Sequence, residues 1–157
     1  VEEETEADQT LLAAEAGEEK EKDPGFLKGR RIMLVEDNEL NREIAYELLS
    51  ESGLIVDVAE NGQEAIKLLG IRPENYYELI FMDIQMPVMN GYEATANIRA
   101  GESDYWKTIP VIAMTANVFQ EDESRAAECG MSDYVTKPID MNVIYSVLEK
   151  WLRGQKG

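Results

Sequence analysis

Short apolar runs alternating with amphipathic stretches constrain this chain more than any other feature. Ile32-Met33-Leu34-Val35 ends in Glu36-Asp37, Leu79-Ile80-Phe81-Met82 ends in Asp83, Val111-Ile112-Ala113-Met114 ends in Thr115, and Tyr134-Val135-Thr136 ends in Lys137-Pro138. Runs this short, bounded by polar residues and separated by helix-like segments, read as buried parallel strands. In an open parallel sheet, ligands collect beyond the carboxyl ends of the strands. Four strand ends therefore bring three acids, a hydroxyl and a lysine to one edge. That set can hold a hard divalent cation and a phosphoryl group, with one carboxylate as acceptor.

The elements follow in regular order from Arg30. Strand one is Arg31–Glu36. The first helix follows Asn38 as N-cap, with Leu40, Ile44 and Leu48 four apart on one face, and stops at Ser52-Gly53. Strand two is Leu54–Val58, and after Asn61-Gly62 comes a second helix through Ala65, Ile66 and Leu69, broken at Arg72-Pro73. Strand three is Glu78–Asp83, with a loop to Gly91 and a third helix from Tyr92 to Ala100. Tyr105 and Trp106 fall in a loop, either packed on the third helix or open to a partner. Strand four is Pro110–Met114. The fourth helix, Gln120–Cys129, ends at Gly130. Strand five is Asp133–Thr136, and Asp140 caps a fifth helix with Met141, Ile144, Leu148 and Trp151 facing inward. Five strands alternating with five helices imply a doubly wound α/β sheet with right-handed crossovers.

Residues 1–29 carry ten acids and three lysines, a net of −7 out of −17 for the whole chain. Phe26 is their only aromatic residue, so they cannot bury enough apolar surface to offset ordering. They read as an acidic flexible linker, with a short helix over Thr10–Ala16 as one local option and an acidic docking tail as the alternative. Residues 30–153 form the domain and 154–157 a tail. The acidic balance disfavours direct contact with nucleic acid or an anionic membrane. No apolar stretch is long enough to span a bilayer. There is no histidine, so histidine acid–base catalysis and histidine metal ligation are excluded. The single cysteine, Cys129, reads as a structural thiol.

Residues 30–153 resemble the receiver domain of two-component response regulators. The resemblance rests on Leu34-Val35-Glu36-Asp37-Asn38, Met82-Asp83-Ile84-Gln85-Met86-Pro87 with Gly91, Ala113-Met114-Thr115-Ala116, and Asp133-Tyr134-Val135-Thr136-Lys137-Pro138. Asn41 and Asn117 extend two of these motifs in the manner of receivers fused to hybrid sensor histidine kinases. The resemblance implies a flavodoxin-like (βα)5 fold with strand order 2-1-3-4-5. It implies Asp83 as phosphoacceptor, with Glu36, Asp37, Asp83 and the backbone carbonyl of Gln85 holding Mg²⁺. Lys137 would meet a phosphoryl oxygen and Thr115 another, with Tyr134 as the aromatic switch that reshapes the surface of the fourth helix, strand five and the fifth helix. The Lys137-Pro138 bond is cis in the family. Gln85 and Asn117 would tune hydrolysis, and the small Ala116 would admit the donor.

The implied partner is a histidine kinase or a histidine phosphotransfer domain, with a phosphorylation-dependent dimer as a further option. The implied setting is the cytoplasm, including the cytoplasmic part of a membrane-anchored kinase. The chain is then a signalling module and not an independent enzyme. Its rivals are a pseudo-receiver that docks without phosphorylation and a phosphatase of the haloacid dehalogenase type. The second needs an aspartate where Gln85 stands. Nucleotide-binding glycine motifs are absent.

Overall fold

The computed structural model describes residues 25–86, 88–116, 120–137 and 139–153. Five parallel strands lie in the order β2-β1-β3-β4-β5: β1 Arg31–Val35, β2 Ile55–Ala59, β3 Leu79–Asp83, β4 Val111–Thr115 and β5 Asp133–Thr136. The main helices are α1 Glu39–Glu51, α2 Gly62–Ile71, α3 Gly91–Arg99, α4 Gln120–Cys129 and α5 Met141–Leu148. The expected doubly wound architecture is present, with strand limits within a residue of those read from the sequence.

Side-chain alternation along the strands builds two cores. Met33, Val35, Ile80, Met82, Val111 and Ala113 face one way, with Ala65, Leu69, Ala94 and Ile98 packed over them. Ile32, Leu34, Leu79, Phe81, Ile112 and Met114 face the other, under Ala45, Leu49, Ile144 and Leu148. All five residues of β3 are buried. A fully buried Leu or Ile contributes about 1.5–3 kcal/mol, so the sheet is stabilised mainly from its own centre.

The helix starts follow from side-chain caps. Asn38 accepts from Asn41 N–H, Asn61 from Glu64 N–H, and Asp140 from Asn142 N–H. Asn90 and Glu93 form a capping box at α3. Gly130, at φ +103°, takes the left-handed conformation that ends α4.

Four features differ from the sequence reading. In α1 the buried residues are Ala45 and Leu49, whereas Leu40 and Ile44 are 64% and 49% exposed. The stripe that docks on the sheet is thus rotated by one residue from the Leu40–Ile44–Leu48 row. Secondly, Tyr105 and Trp106 lie in a short helix, Asp104–Thr108, rather than in a loop. The Tyr105 hydroxyl donates to the Tyr77 carbonyl at 3.0 Å and accepts from Tyr77 N–H at 2.8 Å. Thirdly, α5 continues as a π-helical turn over Glu149–Arg153, which keeps Leu152 in the core. Fourthly, part of the expected linker packs on the domain. Leu27 is buried, the Phe26 ring meets Tyr145 edge-on, and Arg30 lies over Phe26 while donating to its carbonyl.

The proposed helix over Thr10–Ala16, most of the acidic segment, Pro87, Asn117, Pro138 and the tail 154–157 lie outside the described residues. Cys129 is half-buried, with its thiol donating to the Ala126 carbonyl. No helix among the described residues is long and apolar enough to cross a membrane.

Candidate phosphoacceptor site

Register brings the motif residues together. Val35 pairs with Met82 across β1 and β3, Asp83 with Met114 across β3 and β4, and Thr115 with Thr136 across β4 and β5. The ladder continues past the strand ends: Glu36 N–H donates to Ala59 O, Ile84 N–H to Met114 O, and Lys137 N–H to Thr115 O. Backbone pairing therefore fixes where Glu36, Asp83, Thr115 and Lys137 leave the sheet.

They leave it into one cleft of about 340 Å³, lined by Glu36, Asp37, Asn41, Asp83, Gln85, Thr115, Ala116 and Lys137 among others. Carboxylate oxygens of Glu36, Asp37 and Asp83 lie within 4.8 Å of one another. Glu36 and Asp83 are buried, at 3% and 4% exposure, while Asp37 is open to solvent. The Lys137 ammonium bridges the buried pair, 3.1 Å from Glu36 Oε1 and 3.1 Å from Asp83 Oδ2. The other Asp83 oxygen accepts from Gln85 N–H at 3.3 Å. Asn38 N–H donates to Glu36 Oε2 at 3.2 Å. Tyr134 stands apart from the cleft, on β5 and 40% exposed.

The electrostatics are those of an overcrowded anionic site. Burial, and then the nearby Glu36 carboxylate, push the Asp83 carboxyl up to about 7, although Lys137 pulls the other way. Burial opposes the charge on Lys137, but its hydrogen bond to Glu36 and its attraction to Asp83 prevail, so its affinity for the proton is raised. One ammonium does not neutralise three carboxylates. A set of three clustered carboxylate oxygens is the donor chemistry of Mg²⁺, which takes hard oxygen ligands and retains waters. The residues present therefore fit such an ion.

Two further features shape the cleft, and the sequence reading missed the first. Arg42 reaches back from α1 to the Glu36 carbonyl at 3.0 Å. Gly91 approaches the Asp83 carbonyl so closely that a Cβ would collide with it, and Gly91 N–H donates to Ile84 O at 2.8 Å. Gly91 was visible as part of a motif, but nothing in the sequence around Arg42 signals its reach.

With this geometry in place, comparison with known proteins defines the class. Residues 32–149 match the family model of the response regulator receiver domain, and the chain belongs to that family. It is 35% identical over 143 residues to hybrid signal transduction histidine kinase L of Dictyostelium discoideum, covering 90% of this chain and 8% of that kinase. The chain thus spans a small fraction of that relative's length. The receiver domain of a sensor histidine kinase from Pseudomonas aeruginosa, solved with magnesium in its active-site cleft, superposes with a TM-score of 0.70. The two are 34% identical, and the match covers 78% of this chain and 97% of that one. The receiver domain of a Saccharomyces cerevisiae response regulator, crystallised with its histidine phosphotransfer protein, gives a TM-score of 0.71 at 30% identity. That match covers 82% of this chain and 92% of the solved chain.

Proposed function

We propose that this chain is the phosphoacceptor module of a two-component phosphorelay, taking a phosphoryl group from a phosphohistidine donor onto Asp83. The observation that carries this reading is a buried carboxylate at a strand end, with Lys137 at 3.1 Å and two further acids whose oxygens lie within 4.8 Å. An Asp83 oxygen attacks phosphorus as the bond from phosphorus to the donor imidazole breaks, giving an acyl phosphate and a free histidine. Such transfer depends on positioning and charge neutralisation more than on acid–base chemistry, which suits a chain without histidine.

Lys137, whose ammonium lies 3.1 Å from Asp83 Oδ2, would meet a phosphoryl oxygen once the group is on Asp83, exchanging a carboxylate contact for a phosphoryl one. Thr115, on the same cleft, supplies a hydroxyl for a second oxygen. Glu36, Asp37, Asp83 and the Gln85 carbonyl would hold Mg²⁺, which supplies neutralisation of charge on the transferring group. The magnesium in the P. aeruginosa receiver's cleft supports that assignment. Movement of Thr115 toward the phosphoryl group would release Tyr134 to turn inward and remodel the α4–β5–α5 surface. The donor is a histidine kinase or a histidine phosphotransfer domain, a choice supported by the yeast complex. The module works in the cytoplasm and turns over no substrate of its own.

Incubation with Mg²⁺ and a radiolabelled, phosphohistidine-loaded phosphotransfer domain tests the proposal. Label is expected to move to the wild-type chain and not to Asp83→Asn. A chain that binds the donor protein yet never takes label is a docking module instead.

A further inference from the structure

The Arg42 side chain turns back from the first turn of α1 toward the acidic loop that precedes it. Its Nη1 donates to the Glu36 carbonyl at 3.0 Å and, at 3.4 Å, to the Asp37 carbonyl. Its Nη2 lies 3.8 Å from Glu60 Oε2, just beyond β2. The side chain is only 17% exposed. One planar guanidinium therefore touches two consecutive peptide groups of the β1–α1 loop and the start of the β2–α2 loop. We infer that Arg42 is a positioning residue: it holds the Glu36–Asp37 backbone so that both carboxylates converge on Asp83. The inference rests on the metal-assisted reading above.

The need for such a clamp is greatest at Asp37. Glu36 and Asp83 are buried and ion-paired to Lys137, so packing and charge fix them. Asp37 is exposed, and its direction depends on the peptide units on either side of it. Fixing the Glu36 and Asp37 carbonyls fixes those units. Arg suits the task because its donors lie in one rigid plane, whereas a lysine ammonium is a point charge on a flexible stem.

Charge alone would act in the opposite sense. A guanidinium beside three acids repels a second cation, so removing it for charge reasons would tighten Mg²⁺ binding. Removing a clamp would loosen it, because residues that orient metal ligands typically contribute 10–100-fold to affinity. The sign of the change separates the two roles.

The test is isothermal titration of the full chain with MgCl₂, comparing wild type, Arg42→Ala and Arg42→Lys. Thermal melts in EDTA report folding, and amide exchange at Asp37 and Asn38 is followed in the metal-free proteins. Arg42→Ala is expected to bind Mg²⁺ about tenfold more weakly and to exchange faster at those amides. Arg42→Lys keeps the charge and is expected still to lose affinity several-fold. Unchanged or tighter binding in Arg42→Ala, wild-type affinity in Arg42→Lys, or unchanged amide exchange overturns the clamp while leaving the metal site standing. Wild-type protein that takes up no Mg²⁺ overturns the metal reading and the clamp with it.

Discussion

Asp83 carries a stability cost that can be measured through pH. Its carboxyl is buried beside Glu36 and its pKa rises from the ordinary 3.8 to about 7. A group that holds its proton more tightly when folded stabilises the fold at low pH. That contribution is complete below the unfolded value near 3.8 and is lost as pH rises through about 7. Each pKa unit corresponds to about 1.36 kcal/mol. Between pH 5 and pH 8 the metal-free wild type should therefore lose about 3 kcal/mol from this group alone. Asp83→Asn keeps the shape and cannot ionise, so it escapes the loss.

The variant should exceed the wild type by about 1.5 kcal/mol at pH 5 and by about 4 kcal/mol at pH 8, the latter roughly 10 °C in Tm. Urea and thermal unfolding in EDTA across that range measure it. Saturating Mg²⁺ should shrink the difference at pH 8, because binding to the folded wild type stabilises it by mass action. A stability difference independent of pH, or an Asp83→Asn protein less stable at pH 8 without metal, would refute the reasoning.

Two further substitutions probe the surrounding structure. Lys137→Met leaves Glu36 and Asp83 buried without their bridging ammonium; it should lower metal-free stability at pH 8 by about 3–5 kcal/mol and abolish phosphoryl transfer, read by chemical denaturation and by labelling. Tyr105→Phe removes the hydroxyl that serves both the N–H and the carbonyl of Tyr77; the two unsatisfied backbone groups should cost about 1–3 kcal/mol, seen in Tm, with Mg²⁺ affinity unchanged.

The sheet and the cleft were legible in the sequence for one reason. Each chemistry-bearing residue ends an apolar run, so strand polarity alone sends Glu36, Asp83, Thr115 and Lys137 to the same edge. Two caps were legible too, because Asn38 and Asp140 act on backbone within three residues of themselves. What escaped depends on contacts distant in sequence. The row Leu40–Ile44–Leu48 and the row ending in Leu49 are equally periodic, and only the position of α1 over β1 decides between them. Tyr105 reaches Tyr77, 28 residues away, which no local pattern announces. Leu27 lies in a strongly acidic segment whose average composition argued against burial. Arg42 looks like an ordinary surface cation of a polar helix until the loop before it folds back.

The most direct test of the account is intact mass spectrometry after incubation with Mg²⁺ and acetyl phosphate, with peptide mapping of the product. The expected result is a single phosphate adduct on Asp83, labile to hydroxylamine, abolished by EDTA and absent from Asp83→Asn. An adduct that persists in Asp83→Asn, or none under conditions where Mg²⁺ binding is demonstrated, would contradict it.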